Sequence, residues 1–108
     1  MLKIVWEYVV KAGGEVDSEQ HYATGGAWAQ LFGRAAQYHG TVLLRDRQTP
    51  RRYFTIDSWD DMESYEAFRA QFAKEYNALD SRFEPLTESE RRIAFLEVIG
   101  TGSGAAAK

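Results

Sequence analysis

The feature of this sequence that most constrains its fold is a long apolar stripe in the second half of the chain. Its members step by three or four positions, the spacing that places side chains on one face of an α-helix. They are Met62, Tyr65, Phe68, Phe72, Tyr76, Leu79 and Phe83. Asp60, with Glu63 three residues later, predicts the start of this helix, and Pro85 predicts its end. Thr87 with Glu90 predicts another capped turn after it.

Four further segments show the features of β-strands. Residues 2–11 are apolar at every even position, which is a full-length alternating strand. Residues 38–47 and 52–59 form two more strands, and the turn between them is so short that they must make an antiparallel hairpin. Residues 91–100 are predicted to form the last strand.

The segment between the first two predicted strands is helical in pattern but contains Gly25 and Gly26. Asp17, with Gln20 three residues later, predicts the N-cap of its first helix. Two glycines inside a helix cost about 1 kcal/mol each relative to alanine. We therefore expect two short helices with a break between them, the second capped by Thr24.

The predicted order is β-α-β-β-α-β, the ferredoxin-like pattern of an α+β fold, with both helical regions on one face of an antiparallel sheet. The strands are apolar in part on both faces, since Val5 and Val9 oppose Ile4 in the first strand. No residues are left to cover the second face, so we expect a homodimer formed through the sheet. Residues 1–100 are predicted to form one domain and residues 101–108 a flexible tail.

Composition excludes several classes of protein. The net charge of the 108 residues is -3, with basic residues interleaved among acidic ones, which argues against nucleic-acid binding. The absence of cysteine excludes disulfides and thiolate metal sites, and the two histidines have no metal-ligand spacing, so no metal is predicted. The chain has no signal peptide pattern and no apolar run of membrane-spanning length, so we expect a cytoplasmic protein without a membrane partner.

Several phrases of the sequence resemble the antibiotic biosynthesis monooxygenase superfamily, whose members are small dimeric α+β barrel proteins. They are GAWAQLF in the first helical region, YHGTVLLRD in the second strand and RYFTIDSWDDMESYEAF across the third strand and the following helix. The most specific part is the W-x-x-x-x-x-Y-x-x-F phrase that begins at Trp59. The resemblance covers about residues 2–99 and implies the fold more strongly than any activity, because sites are grafted on folds.

The resemblance implies two activities. One is oxidation of polycyclic aromatic polyketides by O2 without metal or flavin, and the other is haem binding with oxidative degradation. In both, a pocket between the sheet and the helices holds a flat aromatic ligand, and a tryptophan that matches Trp59 lines it. Haem-degrading members also use a histidine from the second helix and an asparagine in the first strand. Residues 60–84 contain no histidine, and the first strand has Trp6 and Glu7, so haem degradation is disfavoured.

Oxidation without a cofactor requires a held substrate, a proton acceptor and stabilisation of negative charge. The candidate catalytic residues are Trp59, Asp57, His39 and Arg45. Asp57 shares the strand face of Trp59 and would accept a proton if burial raises its pKa, although a contact with the helix start is the structural alternative. His39 is of the type that exchanges protons near neutral pH, and Arg45 would stabilise an anion. In the structural alternatives, His39 is a solvated turn residue and Arg45 forms a surface ion pair.

The candidate ligand pocket consists of Trp6, Trp28, Tyr65 and Phe68, each of which is otherwise a core residue. The sequence thus predicts a cofactor-independent monooxygenase that acts on an aromatic or quinol-like small molecule. The alternative is a dimeric small-molecule-binding or structural module of the same fold without catalysis. The two hypotheses differ in whether Trp59 packs against a ligand or against protein.

Overall fold

A computed structural model of the chain describes residues 1–23 and 25–102. The predicted cap Thr24, and the part of the predicted tail from residue 103 onward, lie outside these residues. The elements in order are β1 (Leu2–Val10), α1 (Glu15–Tyr22), α2 (Ala27–Phe32), β2 (Tyr38–Arg45), β3 (Arg52–Trp59), α3 (Met62–Gln71), α4 (Ala73–Phe83), a 3-10 helix (Glu84–Leu86) and β4 (Thr87–Glu97).

The four strands form one antiparallel sheet in the order β2-β3-β1-β4. The even-numbered residues of β1 and the odd-numbered residues of β3 face the helices, because successive strand residues point to opposite faces. All the helices pack on that one face. The predicted ferredoxin-like α+β fold is therefore confirmed.

The break in the first helical region is confirmed, and its cause is steric. Gly25 has φ +85°, a backbone conformation that favours glycine. A Cβ atom at Gly26 would lie 2.5 Å from the carbonyl oxygens of both Gln20 and His21. Only glycine allows α2 to begin this close to the end of α1.

Two predicted helix caps are wrong. The N-cap of α1 is Gly14, and Asp17 instead lies in the first turn, where its negative charge is favourable near the helix N-terminus. The N-cap of α3 is Asp61 rather than Asp60, because the extended backbone of Asp61 lets its carboxylate accept a 2.8 Å hydrogen bond from the backbone N–H of Ser64. The prediction for α3 was one residue too early, a difference that local sequence alone does not resolve, and the prediction for α1 was three residues too late.

The prediction of one long helix at residues 60–84 is also wrong, since α3 and α4 meet at Phe72. Phe72 has φ -108° and ψ 26°, outside the helical range. Its N–H still bonds the carbonyl of Phe68, and its carbonyl accepts from the N–H of Tyr76, both at 2.8 Å. The apolar stripe therefore continues across the break, which is why the spacing did not reveal it.

The last strand begins at Thr87 rather than at residue 91, so the predicted capped turn of Thr87 and Glu90 is wrong. The 3-10 helix that contains Pro85 already makes the turn into the sheet. Glu90 consequently pairs with Tyr8 of β1. This earlier start places an acidic side chain on the helix-covered face of the sheet.

The core between sheet and helices is predominantly aromatic. Its buried aromatic residues are Tyr8, Tyr22, Trp28, Phe32, Tyr53, Trp59, Tyr65, Phe68, Tyr76 and Phe83. Trp59 is the largest side chain that is completely buried. Among the described residues, no helix is both long and apolar enough to cross a lipid bilayer.

The opposite face of the sheet, which no helix of the described residues covers, combines exposed apolar residues with a charged cluster. Val42 and Leu96 are 55% and 52% exposed. Near the middle of this face, the Glu7 carboxylate accepts hydrogen bonds from Arg52 Nε at 2.7 Å and from Arg91 Nε at 2.8 Å. These two hydrogen bonds lower the pKa of Glu7, with the larger effect from Arg52.

Candidate functional site

A cavity lies between the helix-covered face of the sheet and helices α1, α2 and α4. Its volume is about 20 Å³, which is room for about one water molecule. Six aromatic and four polar residues line it: Trp6, Tyr8, Tyr22, Trp28, Phe32, Tyr76, Thr41, Thr55, Asp57 and Glu90. The cavity thus combines flat apolar walls with a small number of polar groups, as ligand sites in proteins do.

Asp57 is the most deeply buried ionisable group of the cavity, with 4% of its surface exposed. Its burial raises the pKa of the carboxyl group to about 6, although a hydrogen bond from Thr41 acts in the opposite direction. Thr41 Oγ1 donates this bond to Asp57 Oδ1 at 2.7 Å. Because the Thr41 hydroxyl has one proton to give, its oxygen accepts the short hydrogen bond from the Tyr38 hydroxyl. A hydrogen-bonded chain therefore connects Asp57 to the half-buried Tyr38.

Glu90 is the second carboxyl group of the cavity. Partial burial raises its pKa to about 7, and repulsion from Asp80 and Glu84 contributes in the same direction. Glu90 lies on β4 opposite Tyr8, whereas Asp57 lies on β3. Because β3 and β4 flank β1, the two carboxyl groups face the cavity from opposite sides of β1. Two carboxyl groups that exchange protons near neutral pH thus line the same small space.

Three tyrosines complete the polar surroundings. Burial raises the pKa of Tyr8, Tyr22 and Tyr76 above that of an ordinary phenol, so their hydroxyl groups stay protonated at neutral pH. The rings of Tyr8 and Tyr22 are 4.4 Å apart, and Thr55 Oγ1 donates a 3.3 Å hydrogen bond to the Tyr8 hydroxyl. These tyrosines offer hydrogen-bond donors and ring faces to whatever occupies the cavity.

Three of the sequence-predicted site residues meet at this cavity, namely Asp57, Trp6 and Trp28. Trp6 is half-buried, and Trp28 is almost fully buried. The buried Nε1 of Trp28 has no partner at hydrogen-bond distance, although its N–H dipole favours the ionised form of nearby Tyr22. The structure thus brings one candidate acid–base group together with two candidate aromatic walls.

Trp59 lies in the aromatic core beside the cavity and does not line it. Its indole is enclosed by the rings of Phe32, Tyr38, Tyr65 and Phe68, with ring centroids 5.8, 5.4, 5.5 and 5.2 Å away. Tyr65 and Phe68, two of the predicted pocket residues, belong to this enclosure and not to the cavity lining. Phe32 contacts Trp59 and also lines the cavity, so it links the two regions.

His39 and Arg45 lie away from the cavity. His39 Nε2 is 2.5 Å from Asp60 Oδ1, with both side chains largely exposed. Arg45 is 69% exposed, and its Nη1 lies 3.5 Å from Glu19 Oε2 rather than near Asp46 or Asp57. Neither side chain is placed to act on a molecule in the cavity.

Several lining residues were not singled out from the sequence, above all Thr41, Tyr8 and Glu90. The alternation of the first strand placed Tyr8 on the face of Trp6, so that signal was present. Thr41 could have been found from the hairpin register, which pairs it with Asp57. Glu90 was missed because the last strand was predicted to start one residue too late to include it.

Among residues 1–23 and 25–102, no three His, Asp or Glu side chains form a cluster that could hold a metal ion. The cavity also does not fit haem. No histidine is among its lining residues, and its two carboxyl groups would repel the propionates of the porphyrin. We derive no step through a haem group.

The fold is similar to that of several solved structures. A MhuD variant with two manganese protoporphyrin IX molecules bound per active site is 22% identical, with a TM-score of 0.74, and the match covers 96% of this chain and 100% of that one. A protein from Bordetella bronchiseptica that is assigned as an antibiotic biosynthesis monooxygenase is 19% identical, with a TM-score of 0.70. The match covers 91% of this chain and 96% of that one.

SnoaB, a cofactor-independent oxygenase from Streptomyces nogalater, is 19% identical, with a TM-score of 0.61 and coverage of 93% and 94%. No protein-family model and no curated protein sequence matches this chain. The similarity therefore rests on three-dimensional structure, and at these identities it shows a shared fold.

Proposed function

We propose that this chain, which has the fold of the antibiotic biosynthesis monooxygenase superfamily, binds a small aromatic molecule beside Asp57 and oxidises it with O2 as a cofactor-independent monooxygenase. The observation that carries the proposal is a buried carboxyl group with a pKa of about 6 in a cavity walled by Trp6 and Trp28. A general base works best when its pKa lies near the working pH. Asp57 meets that condition and is mainly ionised above pH 6.

The proposed reaction needs no external reductant. Ionised Asp57 accepts a proton from an acidic CH2 carbon of an anthrone-like ring, and the carbanion that forms gives its electrons to O2. A C–O bond forms, and loss of water from the resulting peroxide leaves a carbonyl group. One oxygen atom ends in the product and the other in water, so CH2 and O2 become C=O and H2O. The buried site excludes solvent from the carbanion.

The chain of hydroxyl groups from Asp57 provides the route by which the proton leaves. Once Asp57 is protonated, its O–H donates to Thr41, and the Thr41 hydroxyl then donates to Tyr38. Tyr38 is half-buried, so its side chain is partly accessible to solvent. We assign Thr41 and Tyr38 as positioning residues in this proposal, because they act through Asp57.

A polycyclic substrate does not fit a volume of about 20 Å³ without movement of the lining. Trp28 and Tyr22 lie on the two short helices that cover the cavity, so their displacement would enlarge it. Trp59 has a different role in the proposal. It supports Phe32, and thereby the cavity wall, from the core side.

The small cavity and the complete burial of Trp59 favour one alternative, a small-molecule-binding module without catalysis.

We also propose that the protein is a homodimer through the uncovered sheet face. The exposed apolar residues Val42, Leu44 and Leu96 lie on that face, and an apolar area of this kind is typical of an interface. Cytoplasmic localisation stays a prediction.

The test is O2 consumption with anthrone as substrate, measured in an oxygen electrode. We expect a rate that rises with pH through about 6, and a loss of at least about 100-fold in Asp57→Asn, the usual size of a general-base effect. Asp17→Asn is the matched control, because Asp17 is exposed on α1. A wild-type rate no faster than that of anthrone alone would reject the monooxygenase and leave the binding module.

A further inference from the structure

Within the part of the chain that the structure describes, the carboxyl groups of the cavity have no cationic partner, unlike the buried carboxylate of Glu7. Glu7, on the opposite face of the sheet, is bound by two arginines. Among the described residues, neither Asp57 nor Glu90 takes part in an ion pair, and no Lys, Arg or His lines the cavity. Burying a carboxylate without a cationic partner costs free energy. A bound cation would therefore stabilise the ionised carboxyl groups of this cavity.

Two arginines that contact or pair with lining residues, Arg69 and Arg92, do not supply that cation. Arg69 stacks on the face of Tyr76 at 3.8 Å and bonds the Tyr65 hydroxyl, while Arg92 stacks on Phe95 at 4.2 Å. Neither guanidinium is among the groups that line the cavity. Both are already engaged with aromatic rings.

Two further features suit an organic cation. The walls are aromatic rings, whose faces attract ammonium groups. Glu90 also belongs to an acidic surface depression with Asp80 and Glu84, so negative charge extends from the surface to the cavity. Clefts lined by one sign of charge concentrate ligands of the opposite sign.

We infer that the cavity recognises a protonated amine, with the ammonium head between Asp57 and Glu90 and the rest of the molecule against Trp6 and Trp28. This inference rests on the proposed use of the cavity as a ligand site and names the class of its ligand. The volume supports it, since an ammonium head is about the size of the single water molecule that the cavity holds. An aromatic molecule with an aminoalkyl substituent combines both parts.

Proton release should accompany binding. Asp57 faces Thr41 and the hydroxyl groups of Tyr8 and Tyr38, whereas Glu90 faces Asp80 and Glu84 as well as the hydroxyl groups of Tyr8, Tyr22 and Tyr76. In the free protein the pKa of each carboxyl group lies above its ordinary value, so near pH 6 each group is partly protonated. A bound ammonium favours the ionised forms, so affinity should increase from pH 5 to pH 8.

The experiment compares three probes that share a phenyl ring and differ in the head group: phenethylamine, 2-phenylethanol and phenylacetate. Binding to the full-length protein is followed by tryptophan fluorescence and by calorimetry at pH 6.5 in two buffers of different ionisation enthalpy. We expect phenethylamine to bind at least about tenfold more tightly than the alcohol, with proton release, and phenylacetate to bind most weakly.

Asp57→Asn and Glu90→Gln should each reduce the preference for the amine and the proton release, and Asp17→Asn should change neither. Glu90→Gln serves if Asp57→Asn does not fold. Equal or tighter binding of the alcohol or of phenylacetate overturns the ammonium inference while the ligand site stands. Absence of binding by all three probes also overturns it, whereas anthrone oxidation is then decided separately by the oxygen electrode.

Discussion

Thr41 on β2 and Asp57 on β3 face each other across the sheet, and the Thr41 hydroxyl donates a 2.7 Å hydrogen bond to the Asp57 carboxylate. This bond is the one interaction that favours the charged form of Asp57 against the effect of burial. It therefore sets how far the pKa of this carboxyl group rises.

Asp57→Asn should stabilise the protein above pH 6. An aspartate in the unfolded chain ionises near pH 4, whereas Asp57 in the folded protein has a pKa of about 6. Between these values the folded state retains a proton that the unfolded state has lost, so the free energy of unfolding decreases as pH rises and stays low above the folded pKa. We expect Asn to raise the free energy of unfolding at pH 8 by on the order of 2 kcal/mol.

Urea denaturation at pH 4 and pH 8 measures this effect, with Asp17→Asn as the control at an exposed site. The wild type should lose stability between the two pH values, and Asp57→Asn should lose less. An Asp57→Asn protein that is less stable than the wild type at pH 8 would mean that the carboxylate is stabilised in the fold by interactions other than the Thr41 bond.

Thr41→Val should raise the pKa of Asp57 further. The substitution keeps the shape of the side chain but removes the hydroxyl that favours the ionised carboxylate, and it also leaves the Tyr38 hydroxyl without its acceptor. We expect the titration of the Asp57 carboxyl carbon, followed by NMR, to move above pH 6. Thr49→Val, at an exposed position in the β2–β3 turn, is the matched control. A shift to lower pH contradicts the prediction.

Trp59→Ala should cost about 3–5 kcal/mol of folding free energy, because it removes a completely buried indole from a ring cluster that cannot close the gap. Trp6→Ala should cost less, since Trp6 is half-buried. Thermal unfolding and urea titration measure the loss of folding free energy in each of the two variants. If the two losses are equal, Trp59 is not the core support that its four ring neighbours indicate.

Replacement of Val42 and Leu96 by glutamate should produce monomers. Both residues are exposed on the uncovered sheet face, where two charges per protomer would have to be buried in a dimer. Size-exclusion chromatography with light scattering measures the mass. Val16→Glu is the control, because Val16 is 69% exposed on α1, away from the sheet. A wild-type protein that is monomeric at micromolar concentration would reject the homodimer.

Much of the fold followed from local pattern. Strand β3 was predicted at its observed boundaries, and the glycine pair correctly placed the break between α1 and α2. The error at the start of α3 lies where neighbouring residues offer equal local signals. Asp60 and Asp61 are both good caps, and only the backbone of Asp61 positions its carboxylate over the first turn of α3.

The candidate site was predictable only in part. Alternation in β3 placed Asp57 on the face of Trp59, and the sequence suggested that burial could raise its pKa. The residues that complete the cavity come from β2, β4 and α4, which are distant in sequence. Glu90 joins Asp57 only because β4 starts early enough to pair it with Tyr8.

The sequence by itself determined the order of the elements, the single helix-covered face and the aromatic character of the core, because these depend on periodicity and on side-chain type. Only the tertiary structure decided which aromatic residues line the cavity and which pack against one another. Trp59 and Trp28 have the same chemistry, yet the first is enclosed by four rings and the second borders a cavity that two carboxyl groups also line. That difference arises from packing between distant segments, which no local pattern encodes.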